Sequence, residues 1–367
     1  MQTILYSFED FKDDFLSKGL KKTLLVYRPS FEKLSFKNEV LALSDSFVHF
    51  TSFTPNPKLD EICDALKVFR EYSCDSILAI GGGSSIDVAK AVKYFSNMPD
   101  VTSSLLDCEY IPSDIPFYAI PTTAGSGSES TPFSVFYENG VKKSIGEVSV
   151  IPNTVLLLPD PLLTLPDYVK RTSFMDALSQ GIESYWSPIS TDESRTYARL
   201  AIEGLIGSME EYLFSSPSLE CASEIMTASN FAGRAICITR TTAPHAMSYK
   251  LTTSFGIAHG HSVSLALIEV WKYMNEHAEM TRDPRGYKHF KSILDEIAYF
   301  LGCDSAESGV SFLSDLVERL GLYRPSADRK AINEFVDTVD PARLGNNPVP
   351  LSYDVLTELY SNILLNT

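Results

Sequence analysis

Short apolar runs alternate with a helix-period segment along the first third of the chain. The runs at 23–27, 47–53, 76–80 and 117–120 are rich in aliphatic and aromatic residues, and each is followed within two residues by Pro or Gly. The segment 59–72 instead repeats its apolar residues at helical spacing. Because strands that alternate with helices form a parallel sheet covered by helices, this pattern predicts an α/β domain.

The pattern changes near residue 160, where Pro161 and Pro166 interrupt the chain. Beyond them, long helical periodicities replace the strand-like runs. We therefore predict two domains, an α/β domain over 1–161 and an all-helical domain over 162–367. The predicted helices of the second domain cover 172–186, 192–214, 218–236, 262–280, 286–301, 308–320 and 328–338.

Two loops of small residues follow neighbouring strands of the predicted sheet. GGGSSIDVAK at 81–90 comes directly after one strand, and PTTAGSGSE at 121–129 comes after the next. Glycines let the backbone approach a ligand, and a helix start offers N–H groups to an anion. One such junction is often only a packing device. Two at adjacent strand ends favour a bound ligand, since open α/β sheets bind ligands beyond the carboxyl ends of their strands.

Three of the six histidines fall within the 23 residues from Thr239 to His261. His245 and His259 each follow a loop-like dipeptide, and a short helix predicted over 246–255 puts His245 and Tyr249 on one face. Neutral imidazole is a common metal ligand. A histidine pair alone is more often a loop or core feature, so a metal site requires further ligands.

A predicted helix upstream supplies candidates for those ligands. Thr172 or Ser173 can cap its start, and Asp176, Gln180 and Glu183 then recur on one stripe. Asp176 offers a carboxylate, and Gln180 offers an amide oxygen, which is a weaker ligand for a transition metal. In the alternative interpretation, Asp176 is an early-turn acid favoured by the helix dipole and Glu183 is a solvated or paired surface acid.

The charge balance limits the partners of the chain. It carries 31 basic and 47 acidic residues among 367, a net charge of −16. Nucleic acids are bound through an excess of Lys and Arg, so we predict no nucleic-acid partner. An anionic ligand would have to be bound by a local group of cations or by a helix terminus.

The sequence also predicts a cytoplasmic protein with no membrane partner. The N-terminal residues are acidic where a secretory signal would be basic and then apolar, and no apolar stretch approaches the roughly 20 residues of a membrane span. The cysteines show no paired spacing, which predicts reduced and mostly buried thiols. They are Cys63, Cys74, Cys108, Cys221, Cys237 and Cys303.

Five segments together resemble one enzyme family. In order and spacing they are similar to the iron-containing (group III) alcohol dehydrogenases over nearly the whole chain. The resemblance implies a Rossmann-like dinucleotide-binding domain, an all-α second domain, the architecture shared with dehydroquinate synthase, and one divalent metal, Fe²⁺ or Zn²⁺. The segments are GGGSSIDVAK at 81–90, PTTAGSGSE at 121–129, PDPLLTLP at 159–166, MDALSQGIESYWS at 175–187 and PHAMSYKLTTSFGIAHG at 244–260.

The resemblance implies a set of metal ligands with one substitution. The family uses an Asp, a His four residues later, and two His fourteen residues apart. Asp176, His245 and His259 match three of these positions, and Gln180 stands at the fourth. A proton-relay His that the family often carries is Tyr249 here, so Tyr249, or water near it, would supply the proton.

The resemblance also implies contacts with a nicotinamide coenzyme. The glycine loop would hold the pyrophosphate, and the second loop would line the nicotinamide. Arg28 stands where the family often has an acid; a guanidinium favours a 2′-phosphate, so we expect NADPH, with NADH as the alternative. The implied coenzyme residues are Arg28, Gly81, Gly82, Gly83, Ser84, Asp87, Thr122, Thr123 and Ser126.

Short segments within these motifs are similar to one branch of the family, whose members reduce phosphonoacetaldehyde to 2-hydroxyethylphosphonate. These segments are SQGIESYWS, TTAPHAMSYKLT and GIAHGHS. A phosphonate dianion calls for cations near the metal. Lys250 and Arg240 are the preferred candidates, with Arg234 and His261 also close in sequence. The alternative is that these are charges of helix surfaces.

We therefore predict a metal-dependent reduction of an aldehyde by NAD(P)H. Phosphonoacetaldehyde is the first candidate substrate, and another small or sugar-derived aldehyde is the second. A lyase of the dehydroquinate-synthase type and a non-catalytic cofactor-binding protein remain open, the latter because Gln180 replaces a ligand. Edge strands of the first domain favour a homodimer.

Overall fold

The computed structural model describes residues 2–98, 110–139 and 141–365. The chain divides into two compact units. One comprises Met1–Leu165 and Ser218–Met226, and the other comprises Pro166–Pro217 and Thr227–Thr367.

A six-stranded sheet organises the first unit. Every strand pair of this sheet is parallel, which confirms the α/β prediction. A separate antiparallel hairpin accompanies it. The sheet strands are β1 (Thr3–Leu5), β2 (Thr23–Tyr27), β3 (Val48–Phe50), β4 (Ser76–Gly81), β5 (Phe117–Pro121) and β8 (Thr154–Leu156), and the hairpin strands are β6 (Phe133–Glu138) and β7 (Val141–Gly146).

The order of the sheet is β1-β8-β5-β4-β2-β3, so β1 and β3 are its edges. Strands β2, β4 and β5 are buried along their whole length because helices cover both faces. Phe11 and Phe15 of the first helix pack against Tyr118 of β5 on one face. The helices of this part of the chain are α1 (Phe8–Ser17), α2 (Lys37–Leu41), α3 (Leu59–Glu71), α4 (Gly83–Phe95) and α5 (Asp160–Leu163).

The regular elements described after residue 166 are all α-helices or short 3₁₀ turns, which confirms the predicted helical second half. The helices are α6 (Asp167–Trp186), α7 (Asp192–Phe214), α8 (Leu219–Thr239), α9 (Ala243–Phe255), α10 (His259–Glu276), α11 (Tyr287–Phe300), α12 (Ala306–Arg319), α13 (Arg329–Asp337), α14 (Pro341–Leu344) and α15 (Tyr353–Leu364).

Helices α6, α9, α10 and α12 begin two to five residues earlier than the sequence predicted. Helix α6 starts after Pro166, so Thr172 and Ser173 are interior residues and the prediction that they cap the helix is wrong. The Thr172 hydroxyl instead donates to the carbonyl of Tyr168, 2.8 Å away. Helix α10 begins at His259, three residues before the predicted start at 262, so this histidine stands on the first turn of a helix.

Helix α6, which carries Asp176, is enclosed by other helices along most of its length. It packs against α7 on one side and α10 on another, and its residues from Phe174 to Trp186 are all buried. A polar side chain on such a helix loses its water, so it has to find protein or ligand partners. The polar stripe of α6 is therefore interior.

None of the described cysteines forms a disulfide, which agrees with the reduced thiols predicted from the sequence. Their burial is lower than expected, since only Cys74 and Cys221 are buried and three others are partly exposed. Cys108 lies outside the described residues. Within the described part of the chain, no helix combines the length and the apolar character that crossing a membrane requires.

Candidate functional site

The two small-residue loops leave adjacent parallel strands. Gly81 at the end of β4 pairs with Pro121 at the end of β5. The N–H of Thr122 donates to the carbonyl of Gly81, 3.1 Å away. The loops therefore stand side by side at the carboxyl edge of the sheet, where such sheets bind nucleotides.

Glycine is required where the two loops meet. The φ of Gly81 is 147°, and a Cβ there would lie 2.3 Å from the hydroxyl of Ser85. A Cβ on Gly83 would lie 2.9 Å from the hydroxyl of Ser126. The backbone thus approaches the second loop closely while the N-terminus of α4 presents N–H groups, the arrangement that binds a pyrophosphate.

Asp87 and Lys90 of α4 both form hydrogen bonds with Ser128 of the second loop. The Ser128 hydroxyl donates to Asp87 Oδ1 at 2.8 Å, and the buried Lys90 ammonium donates to the same hydroxyl at 3.2 Å and to the carbonyl of Phe133 at 2.7 Å. Burial raises the pKa of Asp87 to about 6, although the Lys90 charge opposes the shift. The structure thus shows a bracing contact for Asp87, and its predicted contact with the coenzyme stays a prediction.

The remaining predicted coenzyme residues lie at the same edge of the sheet. Arg28 is half-buried directly after β2, which pairs with β4. The Ser84 hydroxyl accepts the N–H of Asn56 at 3.2 Å. A Cβ on Gly82 would meet the Thr123 side chain at 3.1 Å, so the first loop also contacts the second loop at this position.

In the second unit, three candidate metal ligands come together from three helices. Asp176 of α6, His245 of α9 and His259 of α10 each have a ligand atom within 4.8 Å of the others. His245 Nε2 lies 3.4 Å from Asp176 Oδ1, which is about the edge of a tetrahedron with metal–ligand bonds of about 2.1 Å. A carboxylate with two imidazoles is a ligand set that zinc and iron use.

Gln180 lies one turn after Asp176 on the same face of α6. Its Nε2 donates to Asp176 Oδ1 at 3.3 Å, whereas its Oε1 is buried with no hydrogen-bond partner in the described part of the chain. A buried acceptor without a donor is costly unless a cation or water approaches it. The orphaned oxygen and the three stronger ligands therefore fit a divalent metal.

Glu183 anchors the start of α9 and orients His245. Its fully buried carboxylate accepts the N–H of Thr242 at 2.7 Å, the N–H of His245 at 3.2 Å and the His245 ring at Nδ1, 2.9 Å away. A ring that donates from Nδ1 presents Nε2 to Asp176. The interpretation of Glu183 as a surface acid is wrong, because α6 is enclosed on the side that carries it.

The carboxylates also set the charge of the ligand histidine. Burial lowers the pKa of His245, but Glu183 and Asp176 outweigh burial and raise this pKa to about 9. Burial raises the pKa of Asp176, but the hydrogen bond from His245 and the charge of His259 hold it below its usual value. A metal ion would therefore displace a proton from His245 when it binds.

Ser248 orients the second histidine. Its hydroxyl donates to the carbonyl of His245 at 2.8 Å, so it accepts at its oxygen from His259 Nδ1, 3.4 Å away. This leaves Nε2 of His259 as the nitrogen directed to the ligand cluster.

Gly260 allows α10 to approach α6 at the site. A Cβ on this residue would lie 1.9 Å from the carbonyl oxygen of Thr172 and 2.9 Å from the Cβ of Asp176. Both obstacles are fixed, one being backbone and the other the base of a ligand side chain. Only glycine lets His259 stand this close to Asp176.

Substitution of Gly260 by alanine should lower the free energy of unfolding by about 3 kcal/mol or more, because α10 has to move away from α6. Urea denaturation measures this change. Gly207→Ala is the matched control, since a Cβ there meets nothing within 4 Å. A Gly260→Ala protein as stable as the wild type would show that the two helices are not packed this closely.

Tyr249 joins the ligand cluster to an arginine that the sequence did not single out. Its ring lies parallel to that of His259, with centroids 5.8 Å apart and 7° between planes. Arg343 of α14 donates from Nη1 to the Tyr249 hydroxyl at 2.8 Å, and its guanidinium carbon lies 5.1 Å from the ring centroid. No local pattern could have found Arg343, since it is 94 residues away from Tyr249.

The cations predicted near the metal from the sequence differ in burial and in the groups that they contact. Lys250 is half-buried beside Tyr249, Arg240 is exposed with φ 60°, and Arg234 lies over the Tyr197 ring at 5.4 Å. The suggestion that His261 is a nearby cation is wrong. Burial lowers its pKa, and its Nε2 donates to a backbone carbonyl 2.8 Å away, so the ring is neutral.

Two asparagines near the C-terminus hold the loop that precedes α9. Asn346 Nδ2 donates to the carbonyls of Thr239 at 2.8 Å and Thr241 at 3.1 Å. Asn347 Oδ1 accepts the N–H of Ala243 at 3.4 Å. The tail thus fixes the start of the helix that carries His245.

Comparison with protein families agrees with this geometry. A sheet edge of the kind that binds nucleotides and a buried carboxylate–imidazole cluster are the two features expected of a metal- and nicotinamide-dependent oxidoreductase. The family model described as iron-containing alcohol dehydrogenase matches residues 6–159, and the one described as Fe-containing alcohol dehydrogenase family, C-terminal, matches residues 171–364. The chain belongs to the iron-containing alcohol dehydrogenase family, which confirms the resemblance and identifies an NAD(P)-dependent enzyme.

Individual relatives cover most of the chain. Phosphonoacetaldehyde reductase of Streptomyces viridochromogenes is 32% identical over 274 residues, 72% of this chain and 68% of the relative. The crystal structure of sulfoacetaldehyde reductase from Bifidobacterium kashiwanohense in complex with NAD⁺ has a TM-score of 0.88 and 26% identity, covering 100% of this chain and 98% of the other. An iron-containing alcohol dehydrogenase from Thermotoga maritima has a TM-score of 0.84 and 26% identity, with coverage of 99% and 98%.

Proposed function

We propose that the enzyme reduces a small aldehyde with an oxyanionic tail, with phosphonoacetaldehyde as the first candidate. The observation that carries the chemistry is the cluster of Asp176, His245 and His259. The relatives named above act on phosphonoacetaldehyde and sulfoacetaldehyde, both two-carbon aldehydes with a tetrahedral oxyanion. This shared feature supports the substrate class. The alternative within the family is another small or sugar-derived aldehyde.

The side chains around the cluster have distinct proposed roles. Asp176, His245 and His259 would hold the metal, and Gln180 would offer its buried oxygen as a weak fourth ligand. When bound, the metal polarises a carbonyl as a Lewis acid and the nicotinamide supplies hydride. Tyr249, next to His259, would deliver a proton to the product oxygen, directly or through water.

The proposed coenzyme is NADPH, with NADH as the alternative. Arg28 supports NADPH, because a guanidinium after β2 can pair with a 2′-phosphate. The backbone of Gly81–Ser84 and the hydroxyls of the second loop would also contact the coenzyme. The metal is proposed as Fe²⁺ or Zn²⁺, since the ligand set suits both.

A homodimer is proposed from the sheet. Strands β1 and β3 are edges, and an edge strand offers unpaired backbone groups to a second copy of the chain. The cytoplasmic location expected from the sequence stays a prediction.

A coenzyme-oxidation screen tests the proposed function. Phosphonoacetaldehyde, propanal and a sugar-derived aldehyde are each offered to the metal-loaded enzyme with NADPH and with NADH. We expect the highest kcat/KM with phosphonoacetaldehyde and NADPH. A preference for an uncharged aldehyde would overturn the substrate assignment, and turnover without net coenzyme oxidation would indicate the lyase.

A further inference from the structure

We propose that Arg343, positioned by its contact with Tyr249, binds the tetrahedral oxyanion at the far end of the aldehyde. This inference rests on the proposed function, because it assigns recognition of the substrate tail within the same site. It replaces Arg240 as the principal cation, since Arg240 is exposed and Arg343 contacts a residue packed on a candidate ligand.

Tyr249 contacts both Arg343 and the candidate ligand His259. The Tyr249 hydroxyl accepts a hydrogen bond from the guanidinium, and the Tyr249 ring lies parallel to the His259 imidazole. A two-carbon aldehyde with a tetrahedral end group is about 5 Å long, similar to the 5.8 Å between the Tyr249 and His259 rings. A substrate with its carbonyl at the cluster is therefore long enough for its tail to lie beside Tyr249, which contacts Arg343.

The charge of the chain makes a local cation necessary. A net charge of −16 repels an anionic substrate. A guanidinium binds tetrahedral oxyanions through two parallel N–H donors. The contact with the Tyr249 ring fixes the orientation of the Arg343 guanidinium plane. The Arg343 side chain is 35% exposed. Its Nε forms an ion pair with Asp340 at 3.6 Å, which is longer than a hydrogen bond and leaves guanidinium N–H donors for a ligand.

Lys250 provides a second positive charge beside this pair. It follows Tyr249 on α9, and its ammonium group has no hydrogen bond or ion pair with any residue that the structure describes. Arg234 is occupied differently, over the ring of Tyr197. Near Tyr249, an anion can therefore be bound by Lys250 and by Arg343, whose ion pair with Asp340 is long.

The test compares charged and uncharged aldehydes of similar length. kcat/KM is measured for phosphonoacetaldehyde, sulfoacetaldehyde and propanal with wild type, Arg343→Ala and Arg343→Lys. We expect Arg343→Ala to reduce the preference for both charged aldehydes over propanal about tenfold, mainly through KM, and Arg343→Lys to restore part of it. Arg319→Ala is the matched control, because Arg319 also lies over a ring, that of Phe214 at 4.2 Å, and pairs with Glu210.

A binding measurement separates recognition from turnover. Calorimetry with ethylphosphonate, which has the tail but no carbonyl, should show an about tenfold weaker Kd for Arg343→Ala. Suppose that the wild type prefers the charged aldehydes. If Arg343→Ala then keeps the wild-type preference in kcat/KM and the wild-type Kd for ethylphosphonate, the inference fails and the proposed function stands. If wild type itself prefers propanal, the substrate class fails, and the inference fails with it.

Discussion

Replacement of His259 by alanine should abolish stoichiometric metal binding and lower kcat/KM at least about a thousandfold. The change leaves only Asp176 and His245 as strong ligands. Lewis-acid stabilisation of the transition state contributes several kcal/mol, which corresponds to that factor. Metal per chain is measured by mass spectrometry after gel filtration, and turnover by NADPH oxidation.

The coenzyme should still bind to the His259→Ala protein with nearly wild-type affinity, because the proposed coenzyme residues belong to the first unit. NADPH fluorescence measures this affinity. His277→Ala is the matched control, since its imidazole is also partly buried and hydrogen-bonds to the carbonyl of Tyr273. Full metal content and an unchanged rate in His259→Ala would refute the metal mechanism.

Local patterns predicted the elements that position the site. Strands β2, β4 and β5 were visible because buried parallel strands are short continuous apolar runs. Their parallel pairing then put the loops after Gly81 and Pro121 side by side. Asp176 and the two histidines were candidates from their chemistry and helical spacing, the family resemblance grouped them as ligands, and the structure brings their ligand atoms within 4.8 Å.

The features that the sequence missed depend on tertiary packing. The stripe containing Glu183 has the same spacing whether α6 is exposed or enclosed, and only the packing of α7 and α10 around it shows that this carboxylate is buried. Arg343 stands on a four-residue helix with no motif of its own. Its proximity to Tyr249 follows from the docking of α14 on α9.

The buried carboxylate of Glu183 makes a second strong prediction. Glu183→Gln should weaken metal binding about 10- to 100-fold, the usual loss when the partner of a ligand histidine is changed. An amide has one acceptor oxygen, so its NH₂ group would face a donor, either Thr242 N–H or the His245 groups. The same mismatch should lower the free energy of unfolding by about 1–3 kcal/mol.

The two effects are separated by measuring them independently. Chelator competition gives the metal affinity, the visible spectrum of the Co²⁺-loaded protein reports the ligand geometry, and urea denaturation of the metal-free protein gives stability. Glu296→Gln is the matched control, because Glu296 of α11 accepts a hydrogen bond at 2.6 Å from Tyr185 of α6, the helix that also carries Glu183. A Glu183→Gln protein that loses stability while keeping wild-type metal affinity and the wild-type Co²⁺ spectrum would show that Glu183 anchors α9 without orienting His245.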